Sequence, residues 1–131
     1  MQRRYESMEV GHDGFEFWHD NDIRPEDTCL TKMRYSAFIQ GSSEIQRHLR
    51  KRKLDTVLIT GTATNVCCES SARDAMMLNF KTIMVADGLA ASSDEEHNAS
   101  LSAFYGRLGD VQTVDEVLQS LDRGDKARAA A

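Results

Sequence analysis

Residues 56–78 read TVLITGTATNVCCESSARDAMML, and the fold follows from how this stretch divides. Thr56, Val57, Leu58, Ile59 and Thr60 form an apolar, β-rich run, too short for a helix and of the right length for a buried strand. Gly61 ends the run, and a tight loop over residues 62–66 delivers Cys67 to the first turn of a helix. The small residues Ser70, Ser71, Ala72 and Ala75 let that helix lie close against a sheet. A strand, a sharp turn, a thiol and a helix therefore follow one another. The N–H groups and positive dipole end of a helix start favour negative charge, so a thiol placed there ionises more readily and an oxyanion can be held beside it.

Working outward, Ser42 or Ser43 through Lys53 reads as a helix, with Ile45 and Leu49 four apart on one face. Before it, residues 28–33 read as a short strand carrying Lys32 at its end, followed by a loop with Tyr35 and Phe38. Residues 1–24 are polar and irregular apart from Phe15, Phe17 and Trp18. After the central helix, Asn79 suits a left-handed helix end, residues 81–86 (KTIMVA) read as a strand, and Asp87-Gly88 closes it. Ser93 and Glu96 form a capping box that opens a helix to about Tyr105, with His97 facing solvent from its first turn. Residues 111–114 read as a last strand, and Thr113 with Glu116 opens a helix whose apolar side is Val117, Leu118 and Leu121. Residues 122–131 are expected to fray. Strand and helix alternate, which implies an α/β domain with a largely parallel sheet and its site at the carboxyl ends of the strands.

At 131 residues with 40% hydrophobic side chains, the chain is one domain or part of one. Its net charge of −5 argues against nucleic acid as a partner. The basic run Arg47, Arg50, Lys51, Arg52 and Lys53 has no interleaved aromatics and reads as a solvated helix face. No apolar run reaches the length of a membrane span and MQRRYESMEV lacks a signal-peptide core, so a cytoplasmic protein with no membrane partner is expected. Cys29, Cys67 and Cys68 then read as free thiols. The four histidines have no metal-ligand spacing, and no metal or other cofactor is expected.

The runs LTKMRYSAF (30–38), LITGTATNVCCESSARDA (58–75) and VADGLAASSDEEH (85–97) resemble the isochorismatase-like cysteine hydrolases, and GTATNVC is most similar to the ureidoacrylate amidohydrolase type. The resemblance covers roughly residues 25–121 and implies a Rossmann-like three-layer α/β/α fold with helices on both faces of a parallel sheet. It further implies a homo-oligomer that cleaves a carbon–nitrogen bond of a small amide, ureido or carbamoyl substrate through a thioester. Cys67 matches the nucleophile and Lys32 the lysine that keeps the thiolate charged. The N–H groups of Ala63 and Cys67 match the oxyanion hole, with a cis peptide at Thr62–Ala63. Asn65, Tyr35 and Phe38 match positions that face the substrate, and Cys68 is packing.

Two departures stand beside the match. Asn65 occupies a position where nicotinamidases usually carry aspartate. The family's first strand, which bears an aspartate of the catalytic triad, has no counterpart before Thr28; Asp13, Asp20, Asp22 and Asp27 all lie in polar sequence. A chain lacking that N-terminal strand is therefore expected, with an open edge beside the strand at Thr56. Two other readings remain: a non-catalytic remnant that serves as a subunit or binding module, and a redox-sensing protein built on the adjacent Cys67 and Cys68, a pairing that geometry disfavours.

Overall fold

The computed structural model describes the backbone of residues 8–129 and side chains up to residue 124. In order these form α1 (Ile45–Lys51), β1 (Thr56–Thr62), a π-helical turn (Thr64–Cys68), α2 (Glu69–Met77), β2 (Lys81–Ala90), α3 (Asp94–Phe104), β3 (Asp110–Gln112) and α4 (Val114–Ala129). The strands make one parallel sheet in the order β1-β2-β3. Helices are the connections that such a sheet requires. Among the described residues no strand precedes β1, so its outer edge is unpaired.

Register decides which side chains share a face. Val57 pairs with Thr82 and Ile59 with Met84, so these four lie on one side of the sheet. Met84 is fully buried there with Ala72 of α2 and with Leu101 and Phe104 of α3. Val57 joins Ala75, Phe80 and Phe38 in an adjoining cluster, against which Ile45 and Leu49 of α1 pack. Val85 points to the opposite face and is equally buried, and α4 packs on β2. The architecture is thus the three-layer α/β/α arrangement. Leu58, on the second face of β1, is 45% exposed.

β1 and β2 both run further than expected. After the Ile59–Met84 pair the register resets, and Gly61 pairs with Leu89 and Thr62 with Ala90. Gly61 has φ +110°, a conformation open to glycine and strained for other residues, so it bends the strand without ending it. Residues 86–88 belly out between the paired segments, and there Asp87 Oδ1 accepts the N–H of Val114 at 2.8 Å. Asp87, expected only to form a turn, thereby fastens the start of α4 to β2.

Local signals set the helix ends. Asn79 has φ +63° after α2, and Ser93 Oγ accepts the Glu96 N–H at the start of α3. Thr113 and Glu116 close a full reciprocal box, each N–H donating to the other's side chain.

Two expectations need correction. Residues 28–33 form no strand: a strand exists through its ladder, and this segment has no paired neighbour. Leu118 and Leu121 are exposed, and Val117 alone of that apolar set is buried on α4. The helix itself continues to Ala129, and residues 1–7 and 130–131 lie outside the described residues.

Candidate active site

Cys67 sits in the π-helical turn, which runs directly into α2 and so forms the first turn of one continuous helix. The Thr62–Ala63 peptide that leads into the turn is cis. The Ala63 carbonyl accepts the N–H groups of Val66 (3.1 Å) and Cys68 (3.3 Å), closing the turn around Cys67. The Cys67 thiol is half-buried.

A depression of about 310 Å³ opens at the carboxyl end of β1, and both Cys67 and Lys32 line it. Ser71, Cys68, Thr60 and Thr62 complete its polar side, with Leu58, Ile59 and Phe38 among its apolar residues. No carboxylate lines it among the described residues. Asp20, Asp22 and Asp27 are engaged locally with Trp18, Arg24 Nη2 and the Arg24 N–H respectively. Another depression, of about 420 Å³, is lined by Lys32 together with Cys29 and without Cys67.

Lys32 reaches the depression from an irregular loop. Its Nζ donates to the Arg34 carbonyl at 3.0 Å, and hydroxyls hold the rest of the loop. Ser36 Oγ accepts from the N–H groups of Phe38 and Ile39, and Ser43 Oγ donates to Ala37 O at 2.8 Å. Ser71 makes the join to Cys67: it donates to the Cys67 carbonyl at 2.7 Å and accepts the Ala37 N–H at 3.0 Å. The sequence showed Ser71 only as a small packing residue. Its spacing of four from Cys67 was the available signal, since a helical hydroxyl at that distance can reach back to the carbonyl.

The two neighbouring thiols differ. Cys68 is buried, with its Sγ 3.7 Å from Thr60 O. Burial, reinforced by the adjacent Cys67, pushes its pKa up to about 11, while Lys32 pulls weakly the other way. Cys68 is therefore a packing thiol that stays protonated.

The remaining expected residues are dispersed. Phe38 is 6% exposed and belongs chiefly to the core, its ring 5.7 Å from that of Phe80. Tyr35 is exposed and lies in a different depression beside Arg73 and Met77. Asn65 is exposed and donates to Glu96 on α3 at 3.2 Å. His97, expected to face solvent, turns inward and places Nδ1 2.9 Å from the Thr64 hydroxyl. Among the described residues no group of three His, Cys, Asp or Glu side chains is placed to hold a metal ion.

A model of the isochorismatase domain matches residues 1–116. The chain belongs to the isochorismatase family. It is similar to the uncharacterized isochorismatase family protein YwoC of Bacillus subtilis (strain 168), 35% identical over 115 residues that span 88% of this chain and 60% of YwoC. It is also 35% identical, over 98 residues, to the ureidoacrylate amidohydrolase RutB of Methylobacterium radiotolerans, covering 72% of this chain and 37% of RutB. The crystal structure of a cysteine hydrolase from Pseudomonas syringae pv. phaseolicola 1448A superposes with a TM-score of 0.84 at 26% identity, covering 94% of this chain and 64% of that one. The chain thus spans only part of the length of each isochorismatase-family relative.

Proposed function

We propose that the chain carries the nucleophile of a cysteine-dependent hydrolase that cleaves the carbon–nitrogen bond of a small amide, ureido or carbamoyl substrate. The observation that carries this reading is the meeting of Cys67 and Lys32 in one depression at the carboxyl end of β1. Similarity to a RutB ureidoacrylate amidohydrolase and to a cysteine hydrolase structure supports it.

The Cys67 thiolate attacks the substrate carbonyl, and the Ala63 and Cys67 N–H groups hold the resulting oxyanion. Lys32 favours the thiolate by its charge and passes the thiol proton to the leaving nitrogen. Amine or ammonia departs, leaving a thioester at Cys67. Water then adds to the thioester, the acid is released, and the water's proton returns to sulfur. Both steps call for acid–base help, and among the described residues no carboxylate lines the depression to share that work with Lys32. The reading has the protein act as a cytoplasmic homo-oligomer without a cofactor. Exposed Phe17, Trp18, Met33 and Tyr35 near the lysine loop favour a subunit contact there.

The test is ammonia release from a panel of ureido and carbamoyl amides by the protein and by Cys67→Ala. The variant should lose turnover by roughly a thousandfold or more. Turnover that survives the substitution removes Cys67 from the chemistry.

A further inference from the structure

Two consecutive residues of α3 grip two consecutive residues of the turn that carries Cys67. Glu96 Oε2 accepts from Asn65 Nδ2 at 3.2 Å, and His97 Nδ1 lies 2.9 Å from Thr64 Oγ1. The two contacts differ in burial. Asn65 is exposed, whereas Thr64 is 0% exposed and its hydroxyl has His97 as its side-chain partner. A buried hydroxyl without a partner is costly, so this pair fixes how Thr64 sits inside the turn.

Thr64 is the first residue after the cis Thr62–Ala63 unit and the first residue of the turn. Its setting therefore governs the path of the backbone from Ala63 to Cys67, which includes both N–H groups proposed to hold the oxyanion. One helical turn further on, Ser100 Oγ donates to the Glu69 carboxylate, which is paired with Arg73. α3 is thus tied to the turn through Glu96 and His97 and to α2 through Ser100, and His97 makes the tie closest to the cis unit.

We infer that His97 is a positioning residue for Cys67, acting through the buried Thr64 hydroxyl. This rests on the reading of Cys67 as the nucleophile, but the geometry it concerns can be measured without any substrate. His97 does not touch the reacting atoms; it holds the turn so that the thiol and the flanking N–H groups keep one arrangement. An asparagine at 97 can place an amide oxygen or nitrogen where Nδ1 now stands, and serine at 64 retains the hydroxyl. Alanine at 97 and valine at 64 remove one partner each.

The experiment alkylates the full chain with iodoacetamide at neutral pH and reads Cys67 against Cys29 by peptide mass spectrometry. His97→Ala and Thr64→Val should each change the Cys67:Cys29 rate ratio by about threefold or more, because a displaced thiol loses its environment. His97→Asn and Thr64→Ser should restore it. The double variant H97A/T64V should shift the ratio no further than either single change, as expected of two residues acting through one contact. If His97→Ala does not fold, His97→Gln replaces it, since its longer side chain puts the amide beyond the Nδ1 position. A ratio unchanged in both disruptive variants overturns the inference, as does failure of the conservative pair to restore it or a double variant whose effects multiply. A purely structural contact would lower the melting temperature and leave the ratio alone. The amide panel separates this from the parent reading: amide hydrolysis with an unmoved ratio rejects His97 alone, and a moved ratio without hydrolysis rejects the hydrolase.

Discussion

The two walls of the Cys67 depression are built by different means. The cysteine wall consists of β1, the π-helical turn and α2, with β1 laddered to β2 and the whole buried against Met84, Leu101 and Phe104. The lysine wall is an irregular loop held by serine hydroxyls, with Phe38 as its anchor in the core. Burial that many residues share resists the loss of any single contact, whereas a loop held by a few hydroxyls depends on each of them. Cys67 should therefore stay in place under perturbations that release the lysine.

The largest effect should come from the core beneath Cys67. Phe104→Ala removes a fully buried ring and should cost about 3–5 kcal/mol in urea unfolding. A loss below about 1 kcal/mol would mean that α3 is not part of that wall's foundation. Next comes Cys68, whose proton the folded chain holds more tightly than the unfolded chain does. Its contribution is complete below pH 9.0, the ordinary value, and is lost as pH rises to about 11. Denaturation followed from pH 8 to 11 should show stability falling by on the order of 2 kcal/mol more than in Cys68→Ala. Equal slopes in the two proteins would show that burial does not hold the proton there.

A smaller effect sharpens the contrast between the walls. Ser71→Ala leaves the Ala37 N–H without its acceptor and should cost about 1–2 kcal/mol. Hydrogen exchange should show the Ala37 amide opening faster while the amides of β2 keep their protection. Uniform loss of protection would mean that the two walls unfold as one unit. The smallest effect belongs to the exposed pair: Asn65→Ala should leave the melting temperature within roughly 2 °C of the parent, consistent with a surface contact worth less than about 0.5 kcal/mol.

The elements that could be read from sequence are those whose signals are local. The strand, turn and helix around Cys67, the box at Thr113 and Glu116, and the left-handed Asn79 each depend on residues within a few positions of one another. What escaped depends on neighbours distant in the chain. Residues 28–33 carry strand-like side chains, but among the described residues no ladder receives them. His97 has an ordinary first-turn position, and only the packing of α3 against the turn points its ring inward. Asp87 looks like a turn residue until the register reset aims it at Val114. Lys32 illustrates both cases: its match to a motif was visible, but the loop that carries it to Cys67 was not.

The register reset also bears on how the chain accommodates changes in length. Between the pairs Ile59–Met84 and Gly61–Leu89, β2 uses more residues than β1, so the two paired segments of the ladder are joined by slack. An added residue within 81–85 would turn every later side chain of that segment to the wrong face. One added between 86 and 88 would fall in the arch, outside the ladder pairs, so that Leu89 and Ala90 keep Gly61 and Thr62 opposite them at the expense of the Asp87–Val114 contact. The sheet thus contains one stretch where added length would spare the register on either side and be felt instead at the start of α4.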